Sequence, residues 1–292
     1  MDNEIWSKIK KHYASVNKRE IKILFEDLNR FEDFSAEFNG IFLDFSKTNI
    51  DKITKNLLFE LVRESDVCSK REKMFSGARI NRSENRSVLH WLLRGSQEKI
   101  TFDEPKMTQW IKKVKNRMEI FVEQVREGEI KSITDQTFTD IINVGIGGSD
   151  LGPKMCTRAL APYHDGPRCH FISNVDSADL SDTLNQIQPE TTLVIIASKT
   201  FTTFETMTNA RSGINWLKEK LPDGFEKHLV AVSSNTQESM TYGIGSERIF
   251  DFPDSIGGRY SIWGPIGLPL MLAIGTKNFQ EFLSGACEMD RH

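Results

Sequence analysis

Two rhythms of apolar residues divide this chain. From the N-terminus to about residue 130, apolar positions recur three or four apart, in EIWSKIKKHYASV (4–16), IKILFEDLNRFEDF (21–34), KITKNLLFELVRES (52–65) and MTQWIKKVKNRMEIFVEQVREGE (107–129). That spacing lines one face of a helix and predicts a mainly helical region. IFLDFSKTNI (41–50) predicts a short strand among these helices. From about Thr139 the rhythm shortens to continuous runs: DIINVGI (140–146), RCHFISNV (168–175), TTLVIIAS (191–198), HLVAVSS (228–234) and RIFDF (248–252). Helix-like or polar stretches such as ADLSDTLNQI and TMTNARSGINWLKEKL separate them. Strand-length apolar runs alternating with helices predict βαβ units and a parallel sheet covered on both faces. The fold class is α/β, a doubly wound parallel sheet preceded by helices, and ligands should gather at the carboxyl ends of its strands.

Composition narrows the partners. With 292 residues the chain has room for one large or two modest domains. Its 38 basic and 41 acidic residues give a formal charge of -3, no basis for a nucleic-acid or membrane-surface partner. Cys68, Cys156, Cys169 and Cys287 form no C-x-x-C pair, which argues against zinc or dithiol chemistry and for reduced, buried thiols. MDNEIWSKIKKHY carries acids at once and no signal-peptide apolar region, and WGPIGLPLMLAIG (263–275) is too short to span a bilayer. A cytoplasmic protein is the expectation.

Four stretches could carry chemistry. NVGIGGSDLGP (143–153) follows a predicted strand and opens a helix. Gly145, Gly147 and Gly148 allow the main chain to approach a ligand, and Ser149 sits where helix N–H groups favour an anion. A dinucleotide-binding G-x-G-x-x-G would require glycine where Asp150 stands, and no G-K-[ST] follows to make a P-loop. SKTFTT (198–203) gathers hydroxyls around Lys199 at a strand end. Thr202 with Glu205 three residues on predicts a capping box for the next helix. Capping does not explain why Ser198, Lys199 and Thr200 arrive together, so both turns are expected to converge on one phosphate. In DSIGGRYSIWGPIGL (254–268), Arg259 follows a glycine pair and could hold an oxyanion without titrating, or could pair with a structural carboxylate. FSGARINRSENRSVLHW (75–91) mixes Arg82, Glu84, Arg86 and His90, read as a buried polar network joining the helical part to the rest.

These four stretches, in this order and spacing, resemble the phosphoglucose isomerase family over nearly the whole chain. FLSGACEMDRH (282–292) resembles it too, with Cys287 where the family usually has histidine. The resemblance implies a sugar-isomerase (SIS) type domain and the interconversion of glucose 6-phosphate and fructose 6-phosphate through an enediolate, in glycolysis and gluconeogenesis. It implies no metal or organic cofactor, and a homodimer. It places the substrate phosphate on Gly148, Ser149, Ser198, Lys199, Thr200, Phe201, Thr202 and Thr203. Arg259 matches the arginine beside the enediolate, and Glu205 the position supporting a ring-opening histidine. The family's glutamate base motif and second SIS domain have no counterpart here. The chain therefore reads as a fragment, inactive alone and leaving apolar surface uncovered. Its divisions are a helical region at 1–115 that packs with the second domain, a first SIS domain at 116–286 and the start of a truncated continuation at 287–292. A non-catalytic SIS-type sugar-phosphate sensor is the alternative.

Overall fold

The computed structural model describes residues 4–95 and 105–292, which fall into two compact units, Met1–Glu72 and Lys73–His292. In the first unit, helix α1 (Glu4–Val16) packs against α3 (Lys52–Glu64). Asp51 caps α3, its carboxylate accepting from Thr54 N at 2.7 Å and from Arg19 Nη1 at 2.6 Å. The helix predicted over 21–34 is broken. A 3-10 turn, Ile21–Glu26, is followed by one turn of α2 (Arg30–Asp33), because Arg30 turns inward instead. Its buried guanidinium donates to the carbonyls of Ser46, Thr48 and Ile50 at 2.8, 2.8 and 3.1 Å. The predicted strand gains an antiparallel partner. β1 (Ser35–Phe38) and β2 (Ile41–Asp44) form a hairpin through Asn39-Gly40, both at positive φ, the pair a tight hairpin turn favours. Ile41, Phe42, Leu43 and Phe59 of this unit are exposed.

Helix α4 (Val67–Phe75) leads into the second unit, where α5 (Pro105–Arg126) precedes a five-stranded sheet. The strands are β3 (Asp140–Gly145), β4 (Arg168–Ile172), β5 (Thr192–Ala197), β6 (Leu229–Val232) and β7 (Ile249–Phe250). All pair in parallel in the order β4-β3-β5-β6-β7. Interleaved are α6 (Leu151–Ala159), α7 (Ser177–Leu184), α8 (Phe204–Lys220), α9 (Thr236–Met240) and, last, α10 (Leu268–Arg291). Period-two alternation sends Ile141, Leu193, Ile195, Val230 and Val232 to one face against α5 and α10. It sends Ile142, Val144, Val194, Ile196 and Ala231 to the other, against α7 and α8. Two apolar layers thus sandwich the sheet, the doubly wound arrangement expected from its uninterrupted runs. Cys68 is exposed, contrary to the expectation of uniformly buried thiols, while Cys156 and Cys287 are buried. No helix among the described residues is long and apolar enough to cross a membrane.

Candidate functional site

Strand order alone selects the place to look. The chain leaves β3 towards β4 on one side, and β5 adds on the other, so the order reverses between β3 and β5. A crevice opens beyond the carboxyl ends of two such strands, and their following loops form its walls. Here these loops are the Gly-rich turn after Gly145 and the Ser198–Thr203 turn after Ala197, whose parent residues pair in register. The strand ends that carry them are in close contact: a Cβ on Gly145 would stand 3.1 Å from the Ala197 carbonyl oxygen.

The first turn is a 3-10 segment, Gly147–Ser149, that feeds α6. Gly147 sits at φ +58. Ser149 N–H donates back to Ile146 O at 3.2 Å, and Asp150 N–H to Gly147 O at 3.1 Å. Asn143, fully buried in β3, fixes the turn from beneath, its Nδ2 donating to Ser149 O at 3.0 Å. An asparagine inside DIINVGI was the sequence signal for this role, passed over because the run reads as an apolar strand. Asn143→Ala is expected to cost about 1–3 kcal/mol, the usual penalty when a buried carbonyl loses its donor, as measured by urea denaturation. Asp150 is 3 % exposed, and burial pushes its carboxyl above the ordinary range.

The second turn is shaped by the loop after β6. The Lys199 carbonyl accepts from Ser234 N at 3.0 Å, Ser233 Oγ at 3.1 Å and Ser234 Oγ at 2.6 Å, and the Thr200 carbonyl from Asn235 Nδ2 at 3.2 Å. Phe201, at φ +57 and 1 % exposed, plugs into the core edge-on to Tyr242. Turning Phe201 inward leaves Thr200 and Thr202 exposed and Thr203 half-buried, while Ser198 is buried. Ser198 Oγ lies 3.4 Å from Thr203 Oγ1, and Thr202 Oγ1 donates to Thr200 Oγ1 at 2.8 Å. The expected Thr202–Glu205 capping box does not form. Thr203 is the N-cap of α8, and its side chain makes no capping bond. The register slips by one residue because Thr202 bonds within the turn. Glu205 lies in the first turn of α8.

A third element meets the first. A Cβ on Gly148 would lie 2.4 Å from Gly258 C and 2.5 Å from Gly258 O, so the two glycine turns touch through bare backbone. Arg259, next in the chain, is exposed. Among the described residues, no salt bridge forms to Arg259, so the pairing with a structural carboxylate is not seen. Tyr260 stacks on His90, ring centroids 4.6 Å apart. Burial first, then the charge of Arg94, hold His90 down to about 4, so this support is neutral at physiological pH.

The 75–91 stretch reaches the same place: of the buried polar network expected, His90 is buried, whereas Arg82 and Glu84 are exposed and Arg86 half-buried, so the ion pairs are largely solvated. Asn81 and Arg86 bridge antiparallel, Arg86 Nη2 pairs with Glu84 at 2.5 Å, and Arg86 Nη1 lies 3.7 Å from Asp254. Charged heads this far from the core stay in water, where they keep their hydration. Asp254 in turn pairs with Lys199 at 2.7 Å. The Lys199 ammonium, aided by Arg86, holds the Asp254 carboxyl below the usual carboxylate range. Sequence reasoning gave Asp254 no role; a lone acid beside a glycine pair carries no signal until the fold brings Lys199 to it.

This geometry has known relatives. The family model described as Phosphoglucose isomerase matches residues 44–292. The chain belongs to the phosphoglucose isomerase family. It is 50% identical over 291 residues to the glucose-6-phosphate isomerase of Jannaschia sp. (strain CCS1), covering 99% of this chain and 53% of that protein. Against the glucose-6-phosphate isomerase of Ruegeria sp. (strain TM1040) it is 48% identical over 292 residues, covering 99% and 54%. The chain thus spans about half the length of the curated phosphoglucose isomerases it matches. A crystal structure of a glucose-6-phosphate isomerase from Chlamydia trachomatis D/UW-3/Cx superposes with a TM-score of 0.86 at 27% identity, over 100% of this chain and 56% of that one.

Proposed function

We propose that this chain forms the phosphate-gripping part of an aldose–ketose isomerase that interconverts glucose 6-phosphate and fructose 6-phosphate. The observation that carries the reading is that the Gly147–Ser149 and Ser198–Thr203 turns leave the carboxyl ends of neighbouring strands at the β3/β5 reversal, each rich in hydroxyls or glycines and each leading into a helix. Hydroxyl and backbone donors with a single cation suit a phosphate dianion. Gly148, Ser149, Ser198, Lys199, Thr200, Phe201, Thr202 and Thr203 are proposed to hold or shape that site, and Glu205 to support the ring-opening step.

Moving a carbonyl from C1 to C2 takes a proton from one carbon and returns it to its neighbour, through an enediolate whose oxygen charge needs a fixed cation. Arg259 is proposed as that cation, since its guanidinium stays charged throughout. No residue of this chain is given the role of the base, so the chain by itself is proposed to bind the sugar phosphate without turning it over. The complete enzyme is proposed to be a cytoplasmic homodimer that needs no metal or organic cofactor, as its family suggests.

The test is calorimetric titration with fructose 6-phosphate and with NAD. Saturable binding of the ketose phosphate, lost in Ser149→Ala/Thr203→Ala, supports the reading; binding of NAD alone overturns it. In the active enzyme, Lys199→Ala is expected to raise KM about ten- to a hundredfold, the worth of a charge-assisted hydrogen bond, with kcat nearly unchanged. Steady-state kinetics in both directions would check it.

A further inference from the structure

Lys199 meets an incoming anion already engaged. Its Nζ lies 2.7 Å from Asp254 Oδ1, and the same oxygen lies 3.7 Å from Arg86 Nη1. Asp254 therefore stands between two cations, one inside the crevice turn and one at its rim. The pair with Lys199 is solvated, with Asp254 73% and Lys199 33% exposed. An ion pair in such surroundings shifts an equilibrium by roughly five-fold at most, little enough for a ligand to displace.

Backbone contacts show what can move. The Lys199 main chain is tied to Ser233 and Ser234. The segment carrying Asp254 is tied to the Arg86 stretch, Leu89 N–H donating to Ser255 O at 3.0 Å. Both anchors hold the main chain and leave the side chains able to rotate. If Lys199 turned to a phosphate while the Asp254 carboxylate kept its position, two anions would share one ammonium. Swinging the carboxylate towards Arg86 Nη1, the edge of the guanidinium left open while Nη2 and Nε hold Glu84, eases that repulsion and keeps Asp254 beside a cation.

We propose that Asp254 is an exchangeable counter-ion: the phosphate takes Lys199 from it, Arg86 receives the released carboxylate, and the exchange sets how tightly the sugar phosphate binds. This rests on the reading of the two turns as a sugar-phosphate site. The exchange attenuates affinity, because part of the attraction between Lys199 and phosphate is spent in separating Lys199 from Asp254.

The experiment is a double-mutant cycle on the full-length protein, read as the Kd for fructose 6-phosphate by calorimetry at low salt and neutral pH. Asp254→Asn is expected to lower Kd roughly two- to five-fold, and to change nothing in a Lys199→Met background. Arg86→Met, made together with Glu84→Gln so that no second carboxylate is left unpaired near Lys199, leaves Asp254 only Lys199. It is expected to raise Kd about two-fold over Glu84→Gln alone, an unchanged Kd removing Arg86 as the receiver and overturning the exchange. Thermal melts confirm folding, with Asp254→Ser as the substitute if Asp254→Asn does not fold. An unchanged or raised Kd in Asp254→Asn, with Lys199→Met still weakening binding, overturns the exchange and leaves the site reading standing. A gain that persists without Lys199 also overturns it, since the carboxylate then acts as a general repulsive charge. If Lys199→Met leaves binding intact, the phosphate sits elsewhere and the site reading falls as well.

Discussion

Arg259→Ala in the proposed isomerase is expected to lower kcat by on the order of a hundredfold or more, the usual loss when a preorganised donor to a developing oxyanion is removed. KM should move little, because the sugar carbons that Arg259 would serve are uncharged until the proton leaves. The structure holds the main chain on both sides of Arg259. On one side, Gly258 presses on Gly148, and Ser261 Oγ donates to Gly258 O at 2.5 Å. On the other, Tyr260 N–H donates to Gly257 O at 3.0 Å while its ring stacks on neutral His90. The Arg259 backbone is thus pinned from both neighbours, and among the described residues no carboxylate pairs with its exposed side chain. Arg259→Lys should recover part of the loss, since an ammonium keeps the charge but not the planar fork. Steady-state kinetics decide the matter: a raised KM with kcat intact would move Arg259 from the enediolate to ground-state binding.

Which parts of this arrangement were legible in the sequence follows from the range over which each is determined. The central strands of the sheet were readable because runs such as TTLVIIAS are buried on both faces and need no partner to be recognised, and the half-buried edge strand β4 because its run continues the same alternation of strands and helices. The broken segment at 21–34 was not, because its apolar spacing is helical and only the distant carbonyls of Ser46, Thr48 and Ile50 draw Arg30 inward. Within the site, Ser149, Lys199 and Arg259 stood out as polar groups beside glycines or strand ends. Asn143 and the Ser233–Asn235 loop did not, since their work is to hold carbonyls of other turns and is visible only in three dimensions. The Thr202 cap was misplaced for a local reason: Thr200 and Thr202 bond each other, and the helix begins one residue later. Local pattern sets the elements, whereas long-range hydrogen bonds set the shape of the turns between them.

Gly148→Ala is expected to be the most damaging single methyl that can be added to this site. Its Cβ would lie 2.4, 2.5 and 2.8 Å from the C, O and Cα atoms of Gly258, all backbone, so no flexible side-chain end can yield. Relief requires one of the two turns to retreat by roughly 1 Å, the scale at which misplacement costs on the order of a hundredfold in rate. Retreat of the Gly148 turn would carry Ser149 away from the proposed phosphate position, and retreat of the Gly258 turn would carry Arg259 away from the proposed reacting carbons. Both binding and turnover should therefore fall together, unlike the separate effects expected at Lys199 and Arg259. Stability should drop by about 1–3 kcal/mol, the common cost of overpacking. Gly285→Ala in α10 is the control: it is exposed, nothing lies within 4 Å of its Cβ, and helix propensity predicts a gain of about 0.5–1 kcal/mol. Denaturant midpoints and fructose 6-phosphate titrations on the two variants give the comparison. If Gly148→Ala binds the ketose phosphate as the unmodified protein does, the contact between the turns at Gly148 and Gly258 does not position the site.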